Sequence, residues 1–295
     1  MHYKKTFGDR VFDFIVGILT VLVICCTLYP LIYTLSMSIS DPLAVASGKV
    51  WLLPVGFSLK SFEKVFTETG FLRYFFNTVF YTVAGTCIGI FVTCLAAYPL
   101  SRTEFLARKK FRNFFLFTMF VYGGMIPTYI VITRFLHMYD TVWAILLPPV
   151  SAAWYVVVAT SFFQSLPGEI VESGRIDGAS EYRIFGQLIM PLSKPGLAVL
   201  ALYYSVGYWN SYMPALLYLS NEKLHPLSMY IKRVVMSASL GQMGATITQV
   251  GAETILAAGQ VKYSALVVTV LPMMLIYPYL SKYLEKGLMI GALKG

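Results

Sequence analysis

Residues 164–195 read QSLPGEIVESGRIDGASEYRIFGQLIMPLSKP, a polar, charge-rich stretch between two long apolar runs. Two short helices can be drawn through it. Residues 168–176 carry Ile170, Val171 and Ile176 on an apolar side, and residues 181–189 carry Ile184, Phe185 and Leu188. Asp177, Gly178 and Ser180 separate them: glycine takes the left-handed conformation that ends a helix without a Cβ penalty, and aspartate or serine caps the start of the next. Pro167, Pro191 and Pro195 fence the unit at both ends.

Working outward, the chain is 57% apolar and only 13% charged, far from the quarter charged that is usual for a soluble domain. This is the composition of an integral membrane protein. A net charge of +9 raises the question of nucleic acid, yet the cations sit between apolar runs rather than in one stripe, with a cluster at Arg108, Lys109, Lys110 and Arg112. Flanking cations that orient a membrane protein account for them, and no nucleic-acid partner is expected.

Six spans are expected, near residues 14–36, 75–100, 114–135, 142–163, 197–219 and 264–284. The first is too long for a signal-peptide core and lacks a small-residue cleavage site, so it reads as a transmembrane helix. The expected organisation is a tail at 1–13, the first helix at 14–36, an outer loop at 37–73, a membrane domain over 74–284 and a C-terminal tail at 285–295. The loop 37–73 has turn signals at Pro42, Gly48, Pro54 and Gly56 and a short amphipathic helix near 61–68. The connection 220–262 is too long for a bare turn and contains apolar stretches at 227–235 and 254–258 that suggest short helices. With the N-terminus inside, fourteen lysines and arginines fall on the inner side and nine on the outer. The bias places both termini and the 164–195 loop in the cytoplasm and 220–262 outside.

Within 164–195, Glu172, Ser173, Gly174, Asp177, Gly178 and Pro191 carry a recognisable spacing. The segment resembles the EAA loop of the membrane subunits of ATP-binding-cassette importers, whose pattern is Glu-Ala-Ala, three residues, Gly, nine residues, Ile, one residue, Leu-Pro. Glu172, Gly178 and Pro191 fall in register; Ser173 and Gly174 replace the alanines, Leu188 the Ile and Met190 the Leu. Together with Gly123-Gly124-Met125-Ile126-Pro127 and the closing Gly291-Ala292-Leu293-Lys294-Gly295, the chain is similar to the carbohydrate-importer branch, to MalG-like and LplC/YtcP-like subunits.

The resemblance implies an all-α, type I (MetI-like) permease of six transmembrane helices in a bacterial cytoplasmic membrane. It also implies a second, homologous permease subunit, two cytoplasmic ATPase subunits that hold ATP and Mg, an extracytoplasmic solute-binding protein, and a saccharide cargo. On that reading Glu172 contacts the ATPase, Gly178 permits the bend, Pro191 stops the second helical piece near the membrane, and 220–262 touches the binding protein. Lys294 and Gly295 belong to a tail that in the maltose-type subunit enters the ATPase interface; the alternative is a frayed terminus.

The chain has no Gly-x-x-x-x-Gly-Lys-Ser/Thr loop, so it is not expected to bind ATP by that route or to act as an enzyme. Ionisable residues are nearly absent from the spans, which disfavours an ion-coupled carrier, and a membrane enzyme acting on lipid-linked sugars would show carboxylates or histidines near an interface. Arg134, His137 and Asp140 cluster at the outer ends of the third and fourth spans and read as interfacial rather than as a proton relay. Asn77, Tyr208, Trp209, Asn210 and Tyr212 offer two readings, a lining for a hydroxyl-rich solute or interhelical hydrogen bonding with interfacial aromatics. Pro214, Pro272 and Pro278 are expected to interrupt the fifth and sixth spans. Cys25, Cys26, Cys87 and Cys94 lie in apolar runs and read as small buried hydrophobes, neither disulfides nor metal ligands.

Overall fold

A computed structural model of the chain describes residues 6–68, 70–121, 123–244 and 249–292. Among the described residues the α-helices run in order: α1 Phe7–Ile39, α2 Pro42–Ala46, α3 Lys60–Thr67, α4 Phe71–Ser101, α5 Arg108–Phe120, α6 Met125–Ile130, α7 Trp143–Leu146, α8 Ala153–Ser165, α9 Glu169–Ile176, α10 Glu181–Arg183, α11 Met190–Leu192, α12 Lys194–Trp209, α13 Tyr212–Tyr218, α14 Leu227–Gly244 and α15 Gln249–Ala292. Two π-helical turns, Val131–Phe135 and Ile184–Ile189, continue α6 and α10. The only β pairing among the described residues is an isolated bridge, Ser40 to Phe57.

Among the described residues three helices are long and apolar enough to cross a membrane by themselves, Phe7–Ile39, Phe71–Ser101 and Gly259–Tyr279, and up to six spans result if each bent helix pair counts as one. The bent pairs correct the expectation of continuous helices. The third span is α5 followed by Met125–Phe135, inclined at 113°, and the fourth is Trp143–Val150 followed by α8, at 50°. Pro148 and Pro149 explain the fourth, because neither ring supplies the N–H that a continuing helix needs. The third bent pair is Glu181–Leu192 followed by α12, at 80°, and α12 itself ends at Asn210–Ser211, just before Pro214, where α13 begins. Pro272 and Pro278 lie inside the unbroken α15 and do not interrupt it.

The chain divides into two compact units, Met1–Thr69 with Ile231–Val270, and Gly70–Tyr230 with Leu271–Gly295. In the first, α1 opens with a capping box in which Thr6 and Asp9 satisfy each other's backbone and side-chain groups. The Phe7–Ile39 span buries none of its apolar window inside the chain, as befits a helix surrounded by lipid or by another subunit. Its C-terminal end is held by polar groups: Gln260 donates to the carbonyls of Met37, Ser38 and Ser40, Ser61 donates to Ser38 O at 2.8 Å, and the Ser264 and Ser61 hydroxyls lie 2.7 Å apart. The expected short helix near 61–68 is α3, and Gly48 and Gly56 both take positive φ in the turns around it. The connection 220–262 is more helical than expected. It contains α14 and the first turns of α15, which begins at Gln249 rather than near 264.

In the second unit, α4 packs between α8 and α12. Buried Cys94, Ala97, Tyr98, Phe163, Leu200, Tyr204 and Tyr208 form a core that extends to Val171, Ile184 and Ile189 of the 164–195 segment. The close approach of α4 and α12 depends on Gly85 and Gly89, which face the Tyr208 and Tyr204 rings. Of the four cysteines only Cys94 is buried; Cys25, Cys26 and Cys87 lie on exposed helix faces, which corrects the expectation for those three. A span facing lipid needs no covering by its own chain, so apolarity alone does not distinguish buried from lipid-facing positions.

Candidate functional site

The 164–195 segment folds as two helical pieces joined by a tight turn, as its spacing suggests. The first piece, α9, ends in a Schellman motif: the Gly178 N–H bonds Arg175 O at 3.0 Å and the Ala179 N–H bonds Gly174 O at 2.9 Å. Gly178 has φ +74°, the left-handed conformation in which a Cβ is strained. Asp177 is the C-cap of α9, and Ser180 caps the second piece by accepting from Arg183 N.

That second piece departs from expectation. Pro191 does not stop it: α10, the π-helical turn and α11 wind on to Leu192, and the chain bends by 80° at Ser193 before entering α12. Pro191 is tolerated at the opening of α11, behind a widened turn in which Met190 N bonds Phe185 O. The break falls at Ser193, and Pro195, in the first turn of α12, has no N–H to bond the Pro191 carbonyl.

Val171, Gly174, Ile184 and Ile189 are buried and seat the segment against the core. A Cβ on Gly174 would stand 3.0 Å from Leu188 Cδ1 and 3.2 Å from Ile184 Cγ1, so glycine at the place of the second alanine lets the two pieces pack closely. Glu172, Ser173, Asp177 and Gly178 are exposed on the other side. Periodicity places Ile176 on the apolar side of its helix, but the residue is 80% exposed, and Tyr182 is 87% exposed. Ile176 is the last residue of α9, and the reversal at Asp177–Gly178 carries it off the packed face.

Polar ties fix the segment to the end of α4. The Tyr98 hydroxyl donates to Glu181 Oε2 at 2.8 Å, and Arg175 bridges Glu181 Oε1 at 2.9 Å and Glu104 Oε1 at 3.3 Å. Hydrogen bonding by Glu181, then Glu104, raises the Arg175 pKa above its ordinary value, whereas a backbone N–H and then Arg175 hold the Glu104 carboxyl below the usual carboxylate range. A depressed carboxylate contributes its interaction above its unfolded pKa and loses it as pH falls through the folded one, so these ties persist at neutral pH. Both partners are largely exposed, so they orient the loop more than they stabilise it. Sequence reading missed Tyr98 and Glu104, which lie 83 and 71 residues from their partners, because no local pattern announces such a partner.

The candidate lining residues fare differently. Tyr208 is buried, stacks near Tyr204 at 6.2 Å, and donates to Leu146 O at 2.6 Å. Trp209 is buried edge-on to Phe75, and the Asn77 amide donates to Lys223 O and His225 O at 2.8 and 2.9 Å. These three are used in packing and in holding the chain's own backbone. Asn210 is exposed at the break between α12 and α13, and Tyr212 is half-buried beside it. Asp140 likewise serves the fold: its Oδ1 accepts from Ser220 N and Asn221 N at 2.9 and 2.8 Å, and its N–H donates to Tyr218 O. Because Asp140 has φ 58°, Asp140→Asn should be nearly neutral, whereas Asp140→Ala, losing both acceptor bonds and the tolerance of positive φ, should cost about 1–3 kcal/mol. Thermal unfolding in detergent measures the difference. Lys294 and Gly295 lie outside the described residues.

A chain with this fold and this docked, capped loop has the anatomy of an importer's membrane subunit. It belongs to the family of binding-protein-dependent transport system inner membrane components, which residues 70–290 match. It is therefore an ABC importer permease of the inner, cytoplasmic membrane. It is similar over nearly its whole length to two proteins of Bacillus subtilis (strain 168). One is the polygalacturonan/rhamnogalacturonan transport system permease protein YtcP, 34% identical over 97% of this chain and 99% of the relative; the other is protein LplC, 35% identical over 100% and 98%. Its fold matches a chain in the crystal structure of a bacterial ABC transporter involved in the import of the acidic polysaccharide alginate, with a TM-score of 0.84 and 30% identity over 95% of this chain and 99% of that one.

Proposed function

We propose that this chain pairs with a second, homologous permease subunit to enclose the path of a saccharide, and that two ATPase subunits drive it through the 164–195 loop. The names of YtcP and of the alginate importer support the cargo class. The observation that carries the coupling role is the exposure of Ile176 and Tyr182 beside Glu172 and Asp177 on a loop whose opposite face is rigidly seated. Large apolar groups standing out from a polar surface mark a protein contact. In this reading the chain binds no cofactor and catalyses no reaction; ATP and Mg reside on the ATPase subunits. Both termini are cytoplasmic, and a solute-binding protein docks on the outer side, where 220–262 lies. Family membership speaks against the ion-coupled carrier and the lipid-sugar enzyme.

Topology tests this directly. In a variant whose four native cysteines are replaced by serine, Ser237→Cys should react with an impermeant thiol reagent added to intact cells and Tyr182→Cys should react only after permeabilisation. Labelling of position 182 from outside would remove the ATPase from the loop's reach and end the coupling role.

A further inference from the structure

Beside the coupling loop lies a cavity of about 500 Å³, bounded by the end of α4, the 102–108 turn and α9, with Arg102, Arg108, Arg175, Glu104, Glu172 and Gln164 among its lining residues. Arg175 is engaged by Glu104 and Glu181. Arg102 and Arg108 are not so engaged: Arg102 Nε and Nη2 and Arg108 Nε are buried, yet they have no hydrogen-bond partner among the described residues. The Arg102 guanidinium lies 4.9 Å from the Tyr98 ring centre, which fixes its position without satisfying its N–H groups. Buried cationic donors without acceptors are costly, and an anion supplying several oxygens would satisfy them. Two carboxylates also line the cavity: Glu104 is held by Arg175, and Glu172 is exposed.

The surroundings indicate which anion. Helix α4 has 31 residues, about 46 Å at helical rise, longer than the roughly 30 Å of hydrocarbon, so its ends reach past the apolar layer and Arg102, its C-cap, is within reach of headgroups. In the segment 105–112, which adjoins the lining residues Glu104 and Arg108 in sequence, Phe105, Leu106 and Phe111 are exposed together with Lys109, Lys110 and Arg112. Apolar side chains interleaved with cations are the pattern of a segment lying in the membrane interface, where the negative leaflet surface attracts basic groups. An acidic side chain of an ATPase would satisfy the arginines but would leave those apolar groups unexplained.

We propose that this cavity binds the phosphodiester headgroup of an anionic phospholipid from the leaflet on the coupling-loop side, with Arg102 and Arg108 donating to its oxygens and Phe105, Leu106 and Phe111 lying against its acyl chains. The site would tie the end of α4 and the first coupling helix to the bilayer surface. It depends on neither the cargo nor the direction of insertion, so its failure is separable from that of the proposed function.

The assembled transporter, purified in detergent and titrated with phosphatidylglycerol or phosphatidylcholine, can be read by native mass spectrometry. Phosphatidylglycerol should bind and phosphatidylcholine should not. Arg102→Gln/Arg108→Gln should weaken phosphatidylglycerol binding about 30-fold, at roughly a fivefold loss for each charge removed near an anionic headgroup. The surface pair Lys109→Gln/Lys110→Gln, which does not line the cavity, should weaken it markedly less. Equal losses from the two pairs would reduce the site to a diffuse basic surface and overturn the proposal. Undiminished lipid binding by the arginine variant, with loss of the ATPase from the complex, would assign the cavity to a protein contact instead. Displacement of the lipid by equimolar glycerol phosphate would make it a site for soluble phosphates. An unchanged unfolding midpoint in lipid-free detergent excludes misfolding of the arginine variant as the cause of a loss.

Discussion

Gly85→Val should leave little folded protein in the membrane. A Cβ at Gly85 would stand 2.4 Å from Tyr208 Cζ and 2.5 Å from its Cε2, distances that carbon atoms do not tolerate. The ring has no easy retreat. Its hydroxyl is bonded to Leu146 O at 2.6 Å, it stacks near Tyr204, and Tyr204 is itself held by Thr93 at 2.7 Å. Overpacking of this kind costs about 1–3 kcal/mol for added methylenes in a core that can adjust, and more where a locked ring must move. Gly89→Val should behave similarly, because its Cβ would meet Tyr204 Cε1 at 2.7 Å. Gly207 supplies the control. Nothing lies within 4 Å of its Cβ position, so Gly207→Ala should be neutral or should stabilise by up to about 1 kcal/mol through helix propensity. Membrane abundance and the unfolding midpoint of the purified transporter measure all three. A normal midpoint for Gly85→Val would show that α4 and α12 do not pack as described.

The distinction between Gly85 and Gly207 was not available from the sequence, because both sit in apolar runs and only the facing ring separates them. What was legible followed from local chemistry. The 164–195 segment announced its two helices, its turn and its cap because Asp177, Gly178 and Ser180 act within a few residues of themselves. The helix at 60–67 was legible for the same reason, through its amphipathic period. Legibility failed where a partner lies far along the chain. Tyr98 and Glu104 reach the loop from 83 and 71 residues away, and Asn77 holds backbone carbonyls of Lys223 and His225 nearly 150 residues on. It also failed for proline, whose effect depends on its place in a helix: Pro148 and Pro149 sit at a bend, Pro191 opens a turn, and Pro272 and Pro278 are absorbed by α15. Hydropathy located the six apolar stretches but could not show that three of the spans are broken, since a break removes hydrogen bonds without changing composition.

Gly178→Val should uncouple transport while leaving the chain folded. No atom lies within 4 Å of the position a Cβ would take, so the substitution meets open space and its whole effect is on the backbone. At φ +74° a β-branched residue costs about 1–2 kcal/mol, too little to unfold a chain of six spans but enough to shift the Schellman turn out of its left-handed conformation. That turn sets the angle between α9 and α10, and with it the direction in which Ile176 and Tyr182 stand. Gly178→Asn should retain coupling, since asparagine enters the left-handed region more readily, and this separates conformation from the bare loss of glycine. Glu172→Lys acts differently. It leaves the turn intact and reverses a charge on the exposed face, so it should weaken the ATPase contact in proportion to the water excluded there. Uptake and solute-stimulated ATP hydrolysis by the reconstituted transporter should fall together for Gly178→Val and Glu172→Lys and be preserved for Gly178→Asn. Normal coupling in both impaired variants, with the complex intact, would mean that the loop only connects α8 to α12, and the exposed Ile176 and Tyr182 would then need another partner.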